Sequence, residues 1–96
     1  MVYNLGMADK VLIDFPLDGE KIKQGHYAVR LSAPGAIEVE VSINKTGWQA
    51  CRLSAGYFWF DFWPEPHEIY QISARARFRG VEWVHADDRY CDVVEE

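Results

Sequence analysis

The clearest pattern in this chain is an alternation with a period of two. Ile37, Val39, Val41 and Ile43 are separated by Glu38, Glu40 and Ser42. Successive side chains leave a strand on opposite faces, so this pattern, rich in β-branched residues, predicts a half-buried strand. Asn44-Lys45-Thr46-Gly47 supplies turn chemistry, and Trp48, Ala50 and Leu53 predict a returning strand. Ser54-Ala55-Gly56 turns the chain again, and a third run, Tyr57 to Trp63, is almost wholly aromatic.

The same reading extends to both ends. Val11 to Phe15 predicts a first strand, stopped by Pro16, and Leu17-Asp18-Gly19-Glu20 a turn. From His26 to Ala33 the alternation returns, with Tyr27, Val29 and Leu31 inward and Arg30 and Ser32 outward. Pro34-Gly35 marks a turn, and Pro64-Glu65-Pro66 breaks the chain because prolines cannot donate to a ladder. Ile69 to Phe78 alternates most cleanly: Tyr70, Ile72, Ala74, Ala76 and Phe78 face inward against Gln71, Ser73, Arg75 and Arg77. Arg79-Gly80 predicts a tight turn, Val81 to Ala86 a partner strand, and Arg89 to Val94 a last one. No window of ten or more residues carries a helical period.

Seven or eight short strands at intervals of about ten residues predict an all-β fold, an immunoglobulin-like antiparallel β-sandwich. In such sandwiches the third and penultimate strands lie side by side, antiparallel. That arrangement puts Glu38 and Glu40 on the same outer face as Arg75 and Arg77, where opposite charges help to set register. The expected core includes Ile37, Val39, Val41, Ile43, Ile72, Ala74 and Ala76. The chain length permits one domain, expected over residues 11–94, with a flexible leader at 1–10 and an acidic tail at 95–96.

The composition, 49% hydrophobic, 26% charged and 15% aromatic, is that of a globular chain with more rings than a minimal core needs. A net charge of -5 argues against nucleic acid and anionic membranes as partners, since both require a basic footprint. The first ten residues lack the basic start, apolar run and cleavage site of a secretory signal, and Met7 reads as a second start. The expected location is therefore the cytoplasm, or the periplasm if a signal peptide has been removed. Cys51 and Cys91 do not have metal-ligand spacing and are expected to be free thiols in a reducing compartment.

The order FPLDGEKI, IEVEVSINKTGWQACRL, FWFDFW and HEIYQISARARFRGVEW resembles bacterial immunoglobulin-like domains of the early-set type. In particular it resembles the C-terminal dimerisation domain of sulfite oxidase-like enzymes, over roughly residues 11–94. The resemblance implies the sandwich and a role in contacts between proteins. Without a molybdenum-cofactor domain it implies no oxidase activity.

The aromatic run is the candidate site. In a strand, Phe58, Phe60 and Phe62 share one face, and Tyr57, Trp59, Asp61 and Trp63 the other. One face can enter the core; the second is either covered, by a loop or by Trp48 or Trp83, or used. Its use would be a protein contact, to a second copy or a larger enzyme subunit, because buried aromatic anchors dominate interface energetics. The alternative is a carbohydrate-binding module, with a glycan stacked on the rings and Asp61 accepting its hydroxyl hydrogen bonds. Left as an open edge, the run would be an aggregation hazard. His26, His67 and His85 are read as surface residues and Asp87-Asp88 as a turn rather than a calcium site. The serines sit outside any nucleophile-elbow context, neither cysteine is spaced to pair with a histidine, and no glycine-rich phosphate loop occurs. The chain is expected to be non-enzymatic and to need no cofactor or metal.

Overall fold

The computed structural model describes residues 9–79 and 82–95. The expected leader lies almost wholly outside them, as do Gly80 and Val81 of the expected turn and partner strand. Among the described residues ten strands form the fold: β1 (Leu12–Phe15), β2 (Glu20–Lys23), β3 (Tyr27–Ser32), β4 (Glu38–Ile43), β5 (Gln49–Ala50), β6 (Arg52–Ser54), β7 (Tyr57–Phe62), β8 (Ile69–Arg77), β9 (Val84–His85) and β10 (Arg89–Val94).

They pack as two sheets. One has the order β1-β3-β7-β6; the other has the order β2-β10-β8-β4-β5, with β9 pairing β8 off that path. These correspond to the ABED and CFG sheets of an immunoglobulin-like sandwich. The count exceeds seven or eight because three strands of the simple sandwich are interrupted. Buried Pro16 ends β1, and the chain crosses to the other sheet as β2, parallel to β10. The returning strand expected from Trp48 to Leu53 divides at Cys51. Gln49–Ala50 pairs with β4 in one sheet, whereas Arg52–Ser54 pairs with β7 in the other. The last strand is split into β9 and β10 around residues 86–88.

The core lies between the sheets. Val29, Leu31, Val41, Ile72 and Ala76 are wholly buried, with Ile13, Val39, Phe78 and Cys91 beside them. Burial of each large aliphatic side chain contributes about 2 kcal/mol. Two expected core residues depart from this. Ile37 is 58% exposed because β4 begins one residue later, leaving Ile37 at the rim of the sandwich. Ile43, at the other end of β4, is only partly buried.

Strands β4 and β8 run side by side and antiparallel, as expected, and their register sets Glu38 opposite Arg77 and Glu40 opposite Arg75. The two ion pairs close across the outer face, Arg75 Nη2 lying 2.6 Å from Glu40 Oε1 and Arg77 reaching Glu38.

Candidate functional site

The aromatic strand β7 is interior to its sheet, flanked by β3 on one side and β6 on the other. Its backbone is therefore paired along both edges, and the edge hazard expected of it does not arise. Phe60 and Phe62 are buried, and Phe58 packs partly against the core. Phe62 meets Tyr27 and Tyr70 edge-on, with ring centroids 6.2 and 5.5 Å apart. Parity then sends Tyr57, Trp59 and Asp61 to the outer face, as expected, with Trp63 one residue beyond the strand.

Among the described residues, what covers these rings is neither a loop nor another tryptophan. Trp48 and Trp83 stack against Arg75 on the other sheet, with the guanidinium 4.3 and 4.0 Å from their centroids. The outer face of β7 is covered instead by arginines from its neighbours. Arg30 and Arg52 both stand opposite Trp59, one in β3 and one in β6. Arg30 lies over Tyr57 at 4.2 Å and beside Phe15 at 4.8 Å, and Arg52 lies 5.8 Å from the Trp59 ring. The contacts of the partly buried Arg30 contribute about 0.5–1 kcal/mol each; Arg52 is the more exposed of the two. Tyr57 and Trp59 meet edge-on at 6.3 Å, and Trp59 Nε1 donates to the Ser54 carbonyl at 3.0 Å.

Asp61 ties this ladder together. Arg52 donates from Nε to Oδ2 at 2.9 Å and from Nη2 to Oδ1 at 3.3 Å, while His26 Nε2 lies 2.7 Å from Oδ1. The hydrogen bonds of Arg52, then that of His26, hold the Asp61 carboxyl down at about 2. His26 in turn packs against Trp63, centroid to centroid 5.4 Å. Trp63 is 67% exposed. The structure thus brings Tyr57, Trp59 and Asp61 into one network, with Trp63 open at its end.

Arg30 and Arg52 belong to this site without having been singled out by the sequence, and His26, read there only as a surface residue, joins them. Arg30 is readable as outward from its own alternation. Its position opposite Trp59, like that of Arg52, depends on register between strands distant in sequence, and no local pattern encodes that.

The remaining candidates are dispersed. His67 lies 3.8 Å from Glu95, and His85 packs on Trp48 at 5.9 Å. Asp88 accepts a 2.6 Å bond from Gln71 and lies 3.6 Å from Lys45. Burial raises the Asp88 carboxyl, but the Gln71 bond, the nearby Ser73 hydroxyl and the Lys45 charge together outweigh it and leave it below its ordinary value. This fastens the loop before β10 to the β4–β5 hairpin. Burial, reinforced by Glu40, pushes the Cys51 thiol up to about 12; burial with Asp92 pushes Cys91 up to about 11. Both are free thiols. A shallow groove of about 300 Å³ opens where β5 passes into β6, lined by Ile37, Cys51, Leu53 and Phe58 among others.

No protein-family profile matches the chain, and no curated protein matches it in sequence. Solved structures do. The chain superposes on an engineered protein solved at 1.98 Å with a TM-score of 0.72 and 17% identity, covering 90% of this chain and 20% of that one. It also superposes on fibronectin(III)-like modules of Clostridium thermocellum CbhA, with a TM-score of 0.71 and 16% identity, covering 88% of this chain and 94% of that one. The chain spans about a fifth of the first and nearly all of the second. These likenesses bear out the immunoglobulin-like β-sandwich fold.

Proposed function

We propose that this sandwich is a non-catalytic protein-interaction module, acting through the outer face of the β1-β3-β7-β6 sheet. One observation carries the reading: Trp63 stands 67% exposed at the end of a ladder whose other rings are already covered. A solvated indole packed on His26, on the same sheet face as Tyr57 and Trp59 with their arginines, has the composition of an interface anchor, since Trp, Tyr and Arg dominate binding hot spots. Its partner is a second copy or a larger enzyme subunit. The resemblance to a dimerisation domain supports the first of these.

The glycan reading draws on Trp63 with His26 and Asp61 close by. A stacking platform needs several open ring faces, and here Arg30 and Arg52 already lie against Tyr57 and Trp59. One open ring favours a protein anchor over an extended sugar platform.

Light scattering of the wild type beside Trp63→Ala tests the proposal, followed by titration with oligosaccharides monitored by tryptophan fluorescence. A wild-type dimer made monomeric by Trp63→Ala supports it. A monomer with a saturable response to a neutral oligosaccharide replaces it with the glycan reading.

A further inference from the structure

The edges of the two sheets are not alike. β2 carries Lys21 and Lys23 on either side of its one buried residue, Ile22, and like charges keep a second copy of that edge away. β5 and β6 are two and three residues long and belong to different sheets. β1 is the last strand of its sheet, and the outward-pointing backbone groups of residues 10–14 have no backbone partner among the described residues. Burial alternates through this stretch, beginning before the strand itself. Val11 and Ile13 are buried, while Lys10, Leu12 and Asp14 lie on the outer face, with Leu12 48% exposed. Lys10 has no ion pair among the described residues. Asp14 receives Arg30 and Ser32 on Oδ2 alone, which leaves Oδ1 open. The outer face of this edge therefore reads positive, apolar, negative, a sequence complementary to itself when reversed.

We propose that β1 pairs antiparallel with β1 of a second copy of this chain, about a two-fold axis at Leu12. Residues opposite one another in an antiparallel ladder share a face. With Leu12 opposite its own copy, Lys10 stands opposite Asp14 of the partner subunit, and Asp14 opposite the partner's Lys10. Val11 and Ile13 meet on the inner face in the same reciprocal way. Moving the axis to Val11 or Ile13 loses both ion pairs, and the second move sets Lys10 opposite Pro16, which has no N–H to donate. Charge complementarity thus selects both the occupant and its register. The two four-stranded sheets become one sheet of eight, with β1 against β1 at its centre. This contact goes beyond the Trp63 reading and uses a different surface. Leu12 pairs with Ser32 at one end of β3, whereas Trp63 packs on His26 at the other.

Sedimentation velocity of the full chain, from about 1 to about 200 µM, tests this. The wild type is expected to dimerise. Lys10→Asp sets carboxylate opposite carboxylate at both pairs, and Asp14→Lys sets ammonium opposite ammonium. Each should weaken the dimer by about tenfold or more, and an equimolar mixture of the two should restore it, because both pairs are then opposite in charge. Circular dichroism checks that each variant is folded. Should Asp14→Lys fail to fold, Leu12→Cys keeps the register testable. Facing α-carbons of an antiparallel pair lie about 4.5–5.5 Å apart, within the roughly 7 Å reach of a disulfide. Mild oxidation should therefore join two copies of Leu12→Cys through that position, located by peptide mass, and should not join two copies of Lys10→Cys. A wild type that stays monomeric, a dimer that Lys10→Asp leaves unchanged, or a mixture that restores nothing would overturn the edge pairing. A dimer disrupted by Trp63→Ala but not by the edge variants would overturn it too, while leaving the Trp63 reading standing.

Discussion

Arg75 stands directly opposite Glu40 across β8 and β4, its Nη2 2.6 Å from Oε1, while its guanidinium is held between the rings of Trp48 and Trp83. Both side chains of the ion pair are only about one-fifth exposed, 22% and 21%. The pair is therefore better shielded than an ordinary surface bridge, and neither partner is easily replaced by water.

Arg75→Ala is expected to cost about 2 kcal/mol, because it removes a charge-assisted bond and two cation–π contacts and leaves Glu40 unpaired. Arg75→Lys should recover only part of this, since an ammonium cannot stack between two indoles as a guanidinium does. Urea unfolding of the two variants, with Glu40→Gln and the double variant to close the cycle, checks it. A coupling energy near zero between positions 40 and 75 would show that the stack, not the ion pair, carries the effect.

Val41 is wholly buried in β4, opposite Ala74. Val41→Asp would place a carboxylate in the core with no partner and is expected to cost several kcal/mol, enough to unfold a domain of this size. Val41→Ala should cost about 2 kcal/mol and leave the fold intact. Circular dichroism under native conditions separates the two outcomes.

These core positions are legible from sequence because period-two patterning is a local property. Val39 and Val41, and Ile72, Ala74 and Ala76, alternate over runs long enough to read, and the shared outer face of Glu38, Glu40, Arg75 and Arg77 follows once the topology is supposed. The strand β2 is illegible for the opposite reason. Glu20-Lys21-Ile22-Lys23 offers one apolar residue among charges, which reads as a solvated turn, yet Ile22 is buried against β10 and the lysines blunt an edge. The split at Cys51 escapes a local reading too, since a strand that changes sheets keeps its own pattern. At the candidate site, parity assigns the outer face of β7 correctly. The covering of Tyr57 and Trp59 by Arg30 and Arg52 comes from β3 and β6, and only the folded register discloses it.

Cys51 and Cys91 are separated within one sheet: β8 and β4 lie between β10 and the segment that carries Cys51. At strand spacings of about 4.8 Å the lateral separation alone is ~14 Å, well beyond the roughly 7 Å reach of a disulfide. Since the thiolate is the reactive form and both thiols are pushed up, neither should react readily in the native protein. Alkylation at pH 8 is expected to be slow in the folded state and complete at both sites in denaturant without reductant, as read by intact mass. A native mass two hydrogens lighter, restored by reductant, would contradict the sheet order.

The carboxyl of Asp61, held down to about 2 by Arg52 and His26, sits below its ordinary value of 3.8. A group whose folded value is depressed adds stability above its unfolded value and loses it as pH falls through the folded one. The Asp61 contribution is therefore present in full above about pH 5 and disappears between pH 4 and 2. Solvent screening at this partly exposed site keeps it small. Unfolding midpoints measured from pH 6 to pH 2 should fall more steeply for the wild type than for Asp61→Asn, with the two curves converging at the acid end. Arg52→Gln should flatten the wild-type curve in the same window, because it removes the larger cause of the depression. Parallel curves for wild type and Asp61→Asn would mean that the Arg52–Asp61–His26 network contributes nothing to folding, leaving those side chains free for the contact at Trp63.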